Sequence, residues 1–349
     1  MSLEAFGWNN FFAQQLGTDE KEVAVPARVV AMHRSVAVVT DGVGEYDVAL
    51  GGGWFQQPPE LRPTVGDWVL LSEGRDKIAR LLERRSLFKR LAAGSKREIQ
   101  LIAANIDTLF VVTSCNDEFN ENRLLRYLAL ALDAEVIPVV VLTKRDLTNE
   151  SDVYLERARK ITGSVAIECV DARDARELEG VRLWTAPGQT VALVGSSGVG
   201  KSTLLNTLAG RQLQRTEAIR ENDSRGRHTT THRSLHRIEQ GALLLDGPGI
   251  RELALADAAE GVASTFKDIE VLAASCRFVD CTHQVEPGCA VRSAISEGRI
   301  ELERLKQFKT LQREEAHNST SLFEHRQNAR RTTQRNRQAS KVRTRILDE

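Results

Sequence analysis

The stretch TVALVGSSGVGKSTLLNTL, residues 190–208, limits what this chain can be more than any other part of it. An apolar run leads into Gly195-Ser196-Ser197-Gly198-Val199-Gly200-Lys201-Ser202, a complete G-x-x-x-x-G-K-[ST] loop, and from Thr203 the residues carry helical spacing. Its glycines permit the tight, partly left-handed backbone that turns successive N–H groups inward, and the helix start behind it adds positive dipole character. Lys201 is placed to reach β- and γ-phosphates and the Ser202 hydroxyl to ligate Mg²⁺. Such a loop needs a strand before it and a helix after it. By itself it does not choose between ATP and GTP.

The chain around the loop alternates strand and helix. IDTLFVVT, VIPVVVL, SVAIEC, TVALVG and ALLLD are continuous apolar runs, with helices expected at residues 124–132 and 153–161. That pattern predicts a parallel sheet covered on both faces, whose ligands sit beyond the carboxyl ends of the strands. Two further motifs fall at such ends. Asp246-Gly247-Pro248-Gly249 is a D-x-x-G element: Asp246 can hold Mg²⁺ through water, and the Gly249 N–H can bond a γ-phosphate. Thr143-Lys144-Arg145-Asp146 matches the N-K-x-D element that reads guanine, with Thr143 where asparagine is usual. The Asp146 carboxylate can accept both N–H groups of guanine, whereas adenine offers an acceptor where a donor is needed. Each tetrapeptide alone is more often a plain turn.

Between them lies RENDSRGRHTTTHR, residues 220–233, without a single apolar side chain. Such a segment cannot bury itself and is expected to stay mobile until a ligand orders it; Thr230 is the candidate for the second protein ligand to Mg²⁺. The order of the motifs is unusual. Base recognition at 143 precedes the phosphate loop at 195 and D-x-x-G at 246, a circularly permuted arrangement, which folding tolerates where the original termini lie close together at the surface. Downstream, Cys276, Cys281, His283 and Cys289 are crowded as C-x-x-x-x-C-x-H followed by a third cysteine. Three thiolates and one imidazole suit a closed, structural zinc site. Cys115 and Cys169 read as core.

The remainder is less specific. Residues 1–16 form an amphipathic piece (Leu3, Phe6, Trp8, Phe11, Phe12, Leu16), expected to be a helix packing on the segments next in the chain. VAVPARVV, SVAVVT, EYDVAL, GDWVLL and KIARLL read as five short strands, which fit a small closed barrel of the oligonucleotide-binding (OB) type, as a binder or as a spacer. RRSLFKRLAAGSKR, residues 84–97, reads as a basic linker. Leu302, Leu305, Phe308 and Leu311 form an apolar helical stripe, and residues 326–347 hold eight Arg or Lys and no Asp or Glu. With 48 basic and 48 acidic residues, any affinity for nucleic acid must come from such local asymmetry: this tail suits RNA backbone, or is simply solvated. No apolar run approaches a membrane span, and the N-terminus has no basic-then-apolar leader, so a cytoplasmic, non-membrane protein is expected.

The barrel, the permuted series TKRD, GSSGVGKST, GRHTTT and DGPG, and the cysteine–histidine spacing together resemble the bacterial ribosome small subunit-dependent GTPase A family (RsgA), over roughly residues 20–300. The resemblance implies a GTPase that binds the small (30S) ribosomal subunit and its rRNA late in assembly, hydrolyses GTP when stimulated by that subunit, and then leaves it. It assigns guanine to residues 143–146, phosphates to 195–203 and zinc to the four C-terminal ligands, and makes His228, inside GRHTTT, the residue assisting hydrolysis beside Lys201 and Asp246. The organisation expected is a multidomain chain: an N-terminal extension (1–20), an all-β OB-like barrel (21–90), an α/β circularly permuted P-loop GTPase domain (91–255), a helical zinc-binding domain (256–310) and a basic C-terminal helix or tail (311–349), acting as a monomer. GTP, Mg²⁺ and one Zn²⁺ are the expected ligands. A small-molecule kinase using the same loop and an RNA-binding adaptor with a vestigial nucleotide site are the alternatives.

Overall fold

The computed structural model describes residues 2–33, 35–91, 99–213, 233–246, 255 and 257–320. Its strands are β1 (Val25–His33), β2 (Val36–Thr40), β3 (Glu45–Ala49), β4 (Trp68–Leu71), β5 (Ile78–Leu81), β6 (Leu87–Leu91), β7 (Ile99–Ala104), β8 (Thr108–Ser114), β9 (Ile137–Thr143), β10 (Ala166–Cys169), β11 (Thr190–Val194), β12 (Arg233–Arg237) and β13 (Leu243–Asp246).

The five apolar runs form the expected parallel sheet, in the order β10-β9-β8-β11-β13. Because side chains alternate along a strand, each run supplies two cores. Phe110, Val112, Val139, Val141, Val191 and Leu193 face the helix Lys201–Ala209, which contributes Leu204, Leu205 and Leu208. Leu109, Val111, Val140, Leu142, Ala192 and Val194 face the other way, onto Leu125 and Leu128 of the helix Glu121–Asp133 and Ala158 and Ile161 of the helix Ser151–Thr162. Each of the valine, leucine and phenylalanine side chains that is fully buried here contributes about 1.5–3 kcal/mol.

That second core continues into the C-terminal segments. Val262 and Phe266, at the helix Ala259–Thr265 and its end, Ile269 of Lys267–Ala273, Val291 of Ala290–Ser296, and Leu305, Phe308 and Leu311 of a helix over 302–320 all belong to it. Leu302, expected in the buried stripe, is instead 55% exposed. The Arg304 guanidinium lies 4.3 Å from the Phe266 ring centre and is held by Asp268 and the Thr265 and Ile161 carbonyls.

All five N-terminal strands form, paired in the order β5-β4-β1-β2-β3. One core takes side chains from each of them: Ala27, Val29, Ala37, Val39, Val48, Val69, Leu71 and Ile78. Among the described residues no ladder joins β3 to β5.

Three features differ from the sequence-based expectations. The N-terminal piece is not one helix but two short turns, Leu3–Phe6 and Asn10–Ala13. Gly7 breaks it in a left-handed conformation (φ 90°), and a Cβ there would lie 2.5 Å from the Gly188 carbonyl oxygen. The piece still packs as expected, with Phe12 buried against Trp68, Leu70 and Leu82. Second, the supposed linker contains β6, which pairs antiparallel with β7 in a separate two-stranded sheet. Third, β12 went unforeseen. It pairs antiparallel with β13 on one side and, through Ala31↔Ser234 and Met32↔Arg233, with β1 on the other. The N-terminal strands and the nucleotide-type sheet are therefore one eleven-stranded sheet.

Arg28 ties the same junction from within. Its guanidinium is buried and donates to the carbonyls of Phe6, Gly66 and Asn105 and to Thr190 Oγ1, and it lies 5.4 Å from the Trp68 ring centre. Burial pulls its pKa down to about 10, against the opposing charges of Asp107 and Asp67, so it remains a cation at neutral pH.

Candidate functional site

The parallel sheet brings the predicted chemistry to one edge. The phosphate loop follows β11, the TKRD turn follows β9, and Asp246 ends β13, all at carboxyl ends. Within the loop, Gly195 passes so close to β8 that a Cβ on it would lie 2.1 Å from the Val112 carbonyl oxygen, and its φ of 151° suits glycine. Gly198 and Gly200 also have positive φ, and Gly200 caps the helix that Lys201 opens. Ser196, Ser197 and Val199 lie between these glycines, and Ser202 and Thr203 lie in the first turn of the helix. Lys201 Nζ donates to the carbonyls of Gly195 (2.8 Å) and Ser196, so its ammonium folds over the cradle where phosphate oxygens would compete for it. Ser202, on the helix that follows β11, and Asp246, at the end of β13, are two of the expected Mg²⁺ residues, and β11 and β13 are paired neighbours. Gly249, Thr230 and His228 lie outside the described residues.

Thr143 is fully buried. Its hydroxyl lies 2.6 Å from the Val199 carbonyl oxygen and 3.1 Å from that of Thr113, so it ties the end of β9 to the phosphate loop. Shorter than asparagine, it still reaches across. Removing the hydroxyl without changing shape leaves a buried carbonyl unpaired, at about 1–3 kcal/mol. Thr143→Val is accordingly expected to lower stability in urea unfolding and to weaken GDP binding; a variant matching the parent in both would show the hydroxyl to be idle. Lys144 sits in the left-handed region (φ 60°), the kind of backbone that clusters at ligand sites, and Arg145 and Asp146 occupy the following turn.

Two arginines at this edge escaped the sequence reading. Arg173 follows β10 and donates Nη2 to Asp146 Oδ2, while Asp171 holds its Nε and Nη2 at 3.1 Å. Those bonds to Asp171, and then the charge of Asp146, raise its pKa. Arg123, on the helix Glu121–Asp133, donates to the Ser196 hydroxyl of the phosphate loop. The only signal for either was position: each follows the end of a strand that could be read in the sequence. Cys115, just after β8, and Cys169, the last residue of β10, have their sulfurs 3.9 Å apart.

The metal cluster assembles as expected. One ligand atom from each of Cys276, Cys281, His283 and Cys289 lies within 4.8 Å of the others. Sγ of Cys276 is 3.9 Å from Sγ of Cys289, and Nδ1 of His283 is 3.7 and 3.4 Å from those two sulfurs. A zinc tetrahedron with bonds of about 2.3 Å to sulfur and about 2.0 Å to nitrogen has S–S edges of about 3.8 Å and S–N edges of about 3.5 Å. The residues present fit the ion. Burial, then the nearby Lys309 charge, lowers the His283 pKa, which favours the neutral, ligating imidazole.

Known proteins place this arrangement. A family model described as RsgA GTPase matches residues 81–256. An ABC transporter model matches residues 178–347, which contain the same phosphate loop. The small ribosomal subunit biogenesis GTPase RsgA 2 of Vibrio vulnificus is 48% identical, over 93% of this chain and 91% of its own length. A small ribosomal subunit biogenesis GTPase RsgA of Mesorhizobium japonicum is 42% identical, over 91% of each chain. Among solved structures, YjeQ from Thermotoga maritima aligns at a TM-score of 0.62 and 26% identity, covering 83% of this chain and 98% of that one. YloQ, described as a circularly permuted GTPase, aligns at 0.59 and 22% identity, over 83% and 94%. These similarities favour the GTPase reading over the kinase and adaptor alternatives, and the fold is that of a circularly permuted GTPase. With a family match across half its length and close relatives across nearly all of it, the chain belongs to the RsgA GTPase family.

Proposed function

We propose that this chain is a GTP-switched factor of small-subunit assembly: it binds the small ribosomal subunit and its rRNA, hydrolyses GTP when that subunit stimulates it, and is released as GDP forms. The observation that carries the reading is the meeting of the phosphate loop, the TKRD turn and Asp246 at one sheet edge, in permuted order, in a chain 48% identical to a small ribosomal subunit biogenesis GTPase. Lys201 and the loop N–H groups take the β- and γ-phosphates, Ser202 and Thr230 ligate Mg²⁺, and Asp246 holds it through water. Gly249 senses the γ-phosphate. Thr143, Lys144, Arg145 and Asp146 form the guanine subsite, in which Asp146 makes the choice of base. Ile250 stands where many GTPases carry a water-orienting glutamine, so intrinsic turnover is slow, and His228 or the ribosome supplies the missing alignment.

The shared core of the five N-terminal strands supports an OB-like barrel that touches rRNA. The domain boundaries proposed are those read from the sequence, with a monomeric, cytoplasmic protein. The test is GTP and ATP hydrolysis without ribosomes, with small subunits and with large subunits, at two salt concentrations. Small subunits alone are expected to raise GTP turnover at least about tenfold, less so at high salt as phosphate contacts weaken. If neither subunit stimulates and ATP serves as well as GTP, the reading falls.

A further inference from the structure

Asp146 is the carboxylate assigned to the guanine edge, yet here it is engaged by this chain's own side chain. Arg173 Nη2 donates to Asp146 Oδ2. The same Nη2, together with Nε, is held by Asp171, whose Oδ1 accepts from Nε and Oδ2 from Nη2, each at 3.1 Å, while Oδ1 also accepts from the Arg173 backbone N–H at 2.9 Å. Asp171 thus fixes the direction in which the arginine reaches. The pair is accessible: the Arg173 side chain is 63% exposed and that of Asp146 23%.

The two competitors bring the same kind of group, an N–H donor for a carboxylate oxygen. Guanine offers Asp146 two on one carbon, the N1–H and the exocyclic amino group, whereas Arg173 offers one charged N–H from Nη2, its Nε–Nη2 fork being taken by Asp171. Adenine offers no such pair. We propose that Arg173 is a guanine-competing gate: its guanidinium occupies the base-reading carboxylate, and a guanine nucleotide must displace it to enter. This rests on the reading of Asp146 as the guanine selector.

The gate has a measurable cost in apparent affinity. When only a fraction of molecules have the carboxylate open, the observed affinity is reduced by that fraction. Because the pair is solvent-exposed, the reduction is modest and salt-sensitive.

The test is stopped-flow association of fluorescently labelled GDP with the full chain and with Arg173→Met and Asp146→Ala, at low and high salt. Arg173→Met is expected to bind about two- to fivefold faster at low salt, with the ratio to the parent falling toward one as salt rises. Deleting a cation would by itself slow capture of an anionic nucleotide, so acceleration cannot come from net charge. Association by Arg173→Met that is unchanged or slower overturns the gate. Asp146→Ala separates the two levels. If it loses GDP affinity while Arg173→Met is no faster, only the gate falls; if it binds GDP as the parent does, the guanine assignment falls and the gate with it.

Discussion

Lys201→Ala is expected to abolish measurable GTP turnover while leaving the protein folded. The Lys201 ammonium bonds the Gly195 and Ser196 carbonyls at the mouth of the loop and packs in neither hydrophobic core. Alanine also has the highest intrinsic helix propensity. Losing the charged group's hydrogen bonds should lower stability by no more than about 3 kcal/mol, too little to unfold the chain. The chemistry loses more. Taking one preorganised cation from the charge that develops on the transferred phosphoryl group costs about 10²–10³ in rate, or about 2.7–4 kcal/mol. Single-turnover hydrolysis beside a thermal melt separates the two. Unimpaired hydrolysis in a folded variant would remove the phosphate-loop assignment.

The second large effect belongs to the metal cluster. Cys281→Ser, or a strong chelator, should release one equivalent of zinc per chain and unfold the C-terminal segment from residue 259 onward. Little else holds the ligand loop: Phe278, Val279 and Val285 within it are exposed, and only Cys289 among the four ligands is buried. For a site of this kind, binding free energy is folding free energy, about 10–16 kcal/mol in isolated zinc-binding peptides. The damage should not stop at the loop, because Phe266, Ile269, Val291, Leu305 and Phe308 share a core with one face of the nucleotide sheet. A fall of at least about 10 °C in the melting temperature is expected, at roughly 2–4 °C per kcal/mol for a unit of this size. Metal analysis with far-ultraviolet circular dichroism decides it; a metal-free protein with full helicity would refute the site.

What was legible in the sequence followed period and chemistry. The five parallel strands were readable because both faces of each are buried, giving unbroken apolar runs; the phosphate loop and the metal ligands were readable because their chemistry demands fixed residue types at fixed spacing. β12 was not. Its sequence RSLHR has a single buried apolar residue, Leu235, and owes its strand conformation to pairing with β13, which follows it closely, and with β1 near the N-terminus. β6 reads as linker because its Lys89 and Arg90 and the glycine and serine after it resemble solvated connector, whereas the pairing partner begins only at Ile99. The contact between Arg173 and Asp146 joins residues 27 apart in sequence, and no local pattern marks it. Thr143 is the reverse case. The sequence showed a departure from the usual motif, and the fold turned it into a tether of the phosphate loop.

The two residue pairs between β1 and β12 also bear on how the molecule can be divided. A strand with a partner on only one side is an open template for other chains, and natural sheets shield such strands with charge, shortness or a cover. Cut free of its first 85 residues, the nucleotide-binding half would end at β12. Arg233 and Arg237 stand at the two ends of that strand, but the backbone donors and acceptors that β1 engages would face solvent. The N-terminal strands thus serve the enzyme half as a fitted cap against self-association, and a truncated form is best made with that rim kept or replaced.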